Sequence, residues 1–119
     1  MKKIKIAFYV VTGLLSAMLL YSAIGMYLLQ TEMVKGLFST LGFAPFIVVP
    51  LAIAKIAGVI TLLTRFHSTL KEWAYAGFFF NFLLAAGAHL SAGDGEAGAA
   101  FVALVLLLTS YFLEKKAFA

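Results

Sequence analysis

At 119 residues, 64% of them hydrophobic and only 12% charged, with a mean hydropathy of +1.06, the chain carries more apolar surface than a soluble domain of this size has interior to hide. The composition therefore specifies an integral membrane protein, whose apolar faces a bilayer takes directly. Cysteine is absent, which excludes disulfides, thiolate metal sites and cysteine nucleophiles, and the net charge of +4 reports orientation if its cations flank membrane segments.

Four apolar runs follow in chain order, each long enough to cross about 30 Å of hydrocarbon as a helix. The first, residues 6–29, follows "MKKIK". It exceeds the roughly 7 to 15 residues of a signal-peptide core and no clean A-x-A site follows, so it is read as a retained span. Tyr21, Ser22 and Gly25 share one broad face of it. "QTEMVKGLFSTLGFA" then reads as a loop. In the second run, residues 46–63, Pro45 falls in the first turn, whereas Pro50 is expected to cost a backbone bond and bend the helix, opening a cavity between the first three spans. The third run, residues 73–90, places Asn81 near its middle and His89 near its end. The fourth, residues 97–113, is the least polar and is expected to face lipid or a second protomer.

The expected fold is all-α: a single transmembrane domain over residues 1–119, built as an antiparallel up-and-down four-helix bundle with both termini on one side. Lys2, Lys3, Lys5, Arg65, Lys71, Lys115 and Lys116 fall on one side of that arrangement, and Lys35 with Glu32, Asp94 and Glu96 on the other. This asymmetry predicts cytoplasmic termini. With the flanks so assigned, no basic stripe remains for nucleic acid. Gly13, Ala17 and Gly25, then Ala54 and Gly58, then Ala74, Gly77, Ala85 and Ala88 recur at the spacings that let membrane helices approach, and are expected to be packing faces.

One residue breaks the apolar pattern. In "LAIAKIAGVITLL" the cation Lys55 lies near mid-span, where a charge must be paired, neutralised or drawn to water. At 100° per residue it shares a face with Leu51, Ala52, Gly58 and Leu62, which points it into the bundle. Asn81 is expected to hold the ammonium, with Tyr21 or Ser22 completing its hydrogen bonds. His89, Gln30, Glu32, Asp94 and Glu96 are expected to form a polar mouth at the outer end. The candidate ligand-binding residues are thus Lys55, Asn81, Tyr21, Ser22, His89 and Glu32. Arg65, His67 and Lys71 read as solvated loop charges. No catalytic residue is identified, because the chain has no G-x-S-x-G elbow, Walker loop or H-E-x-x-H motif. Nor is a metal or haem site expected, since one His with scattered carboxylates lacks ligand spacing.

The stretch "LKEWAYAGFFFNFLLAAGAHLSAGDG", with "LGFAPFIVVPLAIAKIAGVITLL" and the closing "SYFLEKK", resembles DoxX-like bacterial membrane proteins over nearly the whole chain. The resemblance implies a four-helix, multi-pass protein of the bacterial inner membrane. Its more distant likeness to eukaryotic four-helix proteins that chaperone receptor assembly or bind sterol ligands implies a non-enzymatic module. Such a module would bind a lipid, a quinone or another amphipathic small molecule in a bundle cavity, or support a homodimer or a partner membrane protein. The alternative, from the quinone-linked thiosulfate oxidation behind the family's name, is the membrane subunit of a quinone-linked oxidoreductase. The absence of Cys and of paired His leaves quinone contact through Lys55, Asn81 or His89 as the redox role open to the chain.

Overall fold

The computed structural model describes residues 2–93, 95 and 97–118. Helix α1 (Lys2–Leu20) runs without interruption into a π-helical segment (Tyr21–Leu28). A short helix α2 (Thr31–Thr40) and a 3₁₀ turn (Pro45–Ile47) lead into α3 (Val48–Thr64), followed by α4 (Ser68–Ala92) and α5 (Ala97–Ala117). Four continuous helical stretches are long and apolar enough to cross a membrane: Lys2–Leu28, Pro45–Thr64, Ser68–Ala92 and Ala97–Ala117. The fold is an all-α membrane helical bundle.

The core is made by Leu15 and Leu19 of α1, Val59 and Leu62 of α3, Tyr75, Phe78 and Phe82 of α4, and Ala103 and Leu107 of α5. Far from facing only lipid, α5 packs along both α1 and α4. Its buried positions Ala103, Leu107, Ser110, Glu114 and Ala117 recur every three or four residues, so a single stripe of one helix turns inward while Val102, Val105, Leu108 and Phe112 remain outside. That stripe carries polar groups into the core. Ser110 Oγ lies 2.6 Å from Thr12 Oγ1 and 2.8 Å from Tyr75 OH, so three helices share one chain of hydroxyls.

One turn further along α5, Glu114 is only 2% exposed. Its Oε1 accepts from Lys71 Nζ at 2.6 Å and from Arg65 Nη2 at 2.9 Å. The Arg65 guanidinium also lies 3.4 Å from the centroid of Phe118, whose ring packs edge-on against Phe8. Lys115 pairs with Glu72 beside this cluster. Arg65 and Lys71 are therefore not solvated loop charges: the carboxylate supplied by α5 draws both inward. His67 is solvent-exposed but caps α4, its Nδ1 accepting from the Leu70 N–H at 3.2 Å. These contacts explain why α4 begins at Ser68 and α5 continues to Ala117, beyond the apolar runs: paired charges extend the helices into segments too polar to read as spans.

Two further expectations are corrected. The loop after the first span is largely helical, because Val34 and Phe38 are one turn apart and turn inward together. Pro50 is the third residue of α3 and the sixth of the continuous helical stretch that begins at Pro45. The small-residue faces are used unevenly. A Cβ on Gly58 would lie 2.5 Å from Phe78 Cζ, a true helix-to-helix approach, whereas Gly13 and Gly77 have nothing within 4 Å and Ala17 and Ala54 are exposed.

Removing one member of a buried ion cluster strands the others, at a cost of about 3 kcal/mol or more, whereas replacing the set by apolar groups costs little. Glu114→Gln is thus expected to lower the thermal unfolding midpoint in detergent, and the double variant Lys71→Met with Glu114→Gln to recover much of the loss. Equal midpoints for Glu114→Gln and the parent chain would contradict this account.

Candidate functional site

The buried residues of α3 are Val48, Ala52, Lys55, Val59 and Leu62, so Lys55 occupies the core-facing stripe itself and is 7% exposed. Its Nζ donates to Ser22 Oγ at 3.0 Å and sits 4.0 Å from the centroid of the Tyr27 ring. Both partners come from the π-helical segment, and its geometry explains how they do so. In an α-helix, residues five apart point about 140° away from each other. Where the backbone closes i→i+5 bonds, as the Leu29 N–H does onto Ile24 O at 3.1 Å, each turn holds more residues and positions five apart are brought onto nearly the same face. Ser22 and Tyr27 thus converge on one ammonium. A ring face near a desolvated cation is attractive by about 2 kcal/mol, and a hydroxyl acceptor adds a charge-assisted hydrogen bond.

This polar base opens into a cavity of about 540 Å³. Ala85 and Ala88 of α4 and Ala99, Ala100 and Ala103 of α5 line it, so small side chains here leave a void where close helix packing was expected. The α2 region contributes Phe38 and Phe43, and Phe38 stacks edge-on against Tyr27 with centroids 5.5 Å apart. The cavity therefore draws on α4 and α5 as well as on the first two spans.

The other expected site residues separate into groups. Asn81 lines the cavity, and the Gly58–Phe78 contact one turn away on each helix places it level with Lys55. Its amide nevertheless makes no side-chain hydrogen bond among the described residues, and the ammonium is held by Ser22 and Tyr27 instead. Tyr21 borders the cavity but is 67% exposed, its ring folded onto Gly25. His89 lines the cavity at the far end of α4, half-buried. Glu32 does not line it: its side chain is 91% exposed and pairs with Lys35 at 3.8 Å. Asp94 and Glu96, expected at the same mouth, lie outside the described residues. Among the described residues no group of three His, Cys, Asp or Glu side chains could hold a metal ion.

A family model described as the DoxX-like family matches residues 10–112. The chain belongs to the DoxX-like family. No curated protein matches it, and no solved structure does. The DoxX-like match includes Ser22, Tyr27, Lys55, Asn81 and His89, and so spans the whole polar lining of the cavity; it stops two residues short of Glu114.

Tyr27 escaped the sequence reading because an α-helical projection turns it away from Ser22. The one local cue is Gly25 between them, which permits the wider turn while Tyr21 folds over it. In a double-mutant cycle of Tyr27→Leu and Lys55→Met, the two substitutions should couple by about 1 kcal/mol, since the ring loses its cation in either single variant. Additive changes in unfolding free energy would show that ring and ammonium do not interact.

Proposed function

We propose that this DoxX-like protein is a non-enzymatic membrane module that holds an amphipathic small molecule, such as a lipid or a quinone, with its head at Lys55 and its body in the apolar part of the cavity. The observation that carries this reading is a partly open cavity of about 540 Å³ whose floor is a buried ammonium in an otherwise largely apolar lining. Intramembrane ionisable groups are costly and cluster at functional sites, and single-ligand cavities fall in this size range. Mass spectrometry of extracts from the purified protein should recover a bound amphiphile from the parent chain and little from Lys55→Met, which keeps the side-chain length and removes the charge. Equal recovery from both would refute the reading. A quinone recovered together with a dehydrogenase partner would instead favour the membrane subunit of a quinone-linked oxidoreductase.

We further propose an up-and-down antiparallel course in the bacterial cytoplasmic membrane, with both termini cytoplasmic. The pairing of Phe8 with Phe118 and of Thr12 with Ser110 supports it, because the two helices meet in opposite chain order. Lys5 and Arg65 both lie over Phe118 and Lys71 reaches Glu114, which gathers the basic segments at one end as the orientation rule requires of a cytoplasmic face. The chain has no native cysteine, so Ser91→Cys offers a unique label at an exposed position. An impermeant maleimide should modify it from the periplasmic side; modification from the cytoplasmic side alone would reverse the topology.

A further inference from the structure

Three of the chain's five acidic residues are described, and each can be placed relative to Lys55. Glu114 is taken by Arg65 and Lys71, and Glu72 by Lys115, all at the end of the bundle that carries Phe118. Glu32 is exposed beside Lys35. Asp94 and Glu96 lie outside the described residues. No described carboxylate lines the cavity. Among the described residues the buried ammonium therefore has a hydroxyl and a ring face as partners, but no counter-charge.

Its donors are also incompletely used. A lysine ammonium has three N–H groups. One goes to Ser22 Oγ and the Tyr27 ring covers a second direction, leaving a third. Ser22, having accepted from Lys55, is also hydrogen-bonded to the Tyr27 side chain, whereas the Asn81 amide stands at the level of Lys55 without a side-chain hydrogen bond among the described residues. The third N–H of the buried ammonium and the half-buried Asn81 amide face the same cavity, where a donor without an acceptor is costly. A two-oxygen anion satisfies both the donors and the charge, which a neutral carbonyl does not. Beyond this head site the lining is mostly alanine, leucine and phenylalanine with Met18 and Ile47, polar again only at Tyr21 and His89, and the volume suits one ligand of modest size rather than a two-chain phospholipid.

Resting on the ligand-binding reading above, we infer that the occupant is an anionic single-chain amphiphile, a long-chain monocarboxylate, whose carboxylate is received by Lys55 and Asn81 and supplies the counter-charge that no described residue provides.

Equilibrium binding to the delipidated full chain in a non-ionic detergent tests this with four probes: oleate, methyl oleate, a short-chain ubiquinone and phosphatidylglycerol. Oleate should bind saturably, one per chain, and at least about tenfold more tightly than its methyl ester, which keeps the tail and removes the charge. Lys55→Arg should keep that preference and Lys55→Met should abolish it. The ester comparison on the parent chain decides the matter even without a folded Met variant. Equal binding of oleate and methyl oleate, or a preference that survives Lys55→Met, overturns the monocarboxylate assignment. Tighter binding of phosphatidylglycerol than of oleate also overturns it, in favour of a lipid phosphate. Lys55-dependent binding of the ubiquinone without oleate binding overturns it while leaving the ligand-binding reading intact, and binding of none of the four removes both.

Discussion

The architecture turns on a single ammonium held away from water. An uncompensated charge in the interior of a membrane protein is costly, and the fold meets that cost locally: Ser22 Oγ accepts from Lys55 Nζ at 3.0 Å and the Tyr27 ring lies 4.0 Å away. Neither partner reaches it by accident of helix packing. The first span abandons α-helical spacing for the eight residues Tyr21–Leu28, and this change of pitch is what turns a serine and a tyrosine five positions apart toward the same point. π-helical segments use weaker backbone geometry than α-helices and are found most often where a site needs it. Here the segment ends against α2, where Thr31 Oγ1 donates back to the Tyr27 and Leu28 carbonyls at 2.6 and 2.9 Å and secures the widened turn.

The two ends of the bundle solve opposite problems. At the end carrying Phe118, cations meet a carboxylate: Glu114 gathers Arg65 and Lys71, aromatic rings cover the guanidinium, and the Thr12–Ser110–Tyr75 hydroxyls continue the polar seam inward. The cations and the Thr12, Ser110 and Tyr75 hydroxyls find partners within the chain, Ser16 Oγ alone of the buried side-chain polar atoms described having none, and Phe78 is packed onto Gly58 so closely that no Cβ fits between them. At the other end the helices meet through alanines, a cavity stays open, and Lys55 has partners but no counter-ion among the described residues. A bundle stabilised at one end can keep an under-packed, under-compensated site at the other, because the stability lost at the cavity is supplied by the closed half.

Much of this was legible in the chain. Continuous apolar runs announce four spans, since only a helix satisfies its own backbone in lipid, and the heptad-like placement of Lys55 among Ala52, Val59 and Leu62 shows that it faces inward. Tyr21, Ser22, Asn81 and His89 do border one cavity with Lys55, while Glu32, grouped with them by its position after the first span, turns to solvent. The errors share a cause. Arg65 and Lys71 look solvated until Glu114, more than forty residues away in sequence, is brought against them; α5 looks peripheral until its Ser110 and Glu114 are seen to share a face; Ala85 and Ala88 look like contact surfaces although the helices opposite them stand back.

The sequence by itself determined the solvent, the number of spans and the inward direction of the one mid-span charge, because each follows from hydropathy and helical period, which are properties of neighbouring residues. Only the tertiary structure decided which groups hold that charge, where the carboxylates go and where the cavity lies. Those depend on pairings between distant segments and on a local change of helical pitch around Gly25, and no periodicity read along a single strand of text encodes either.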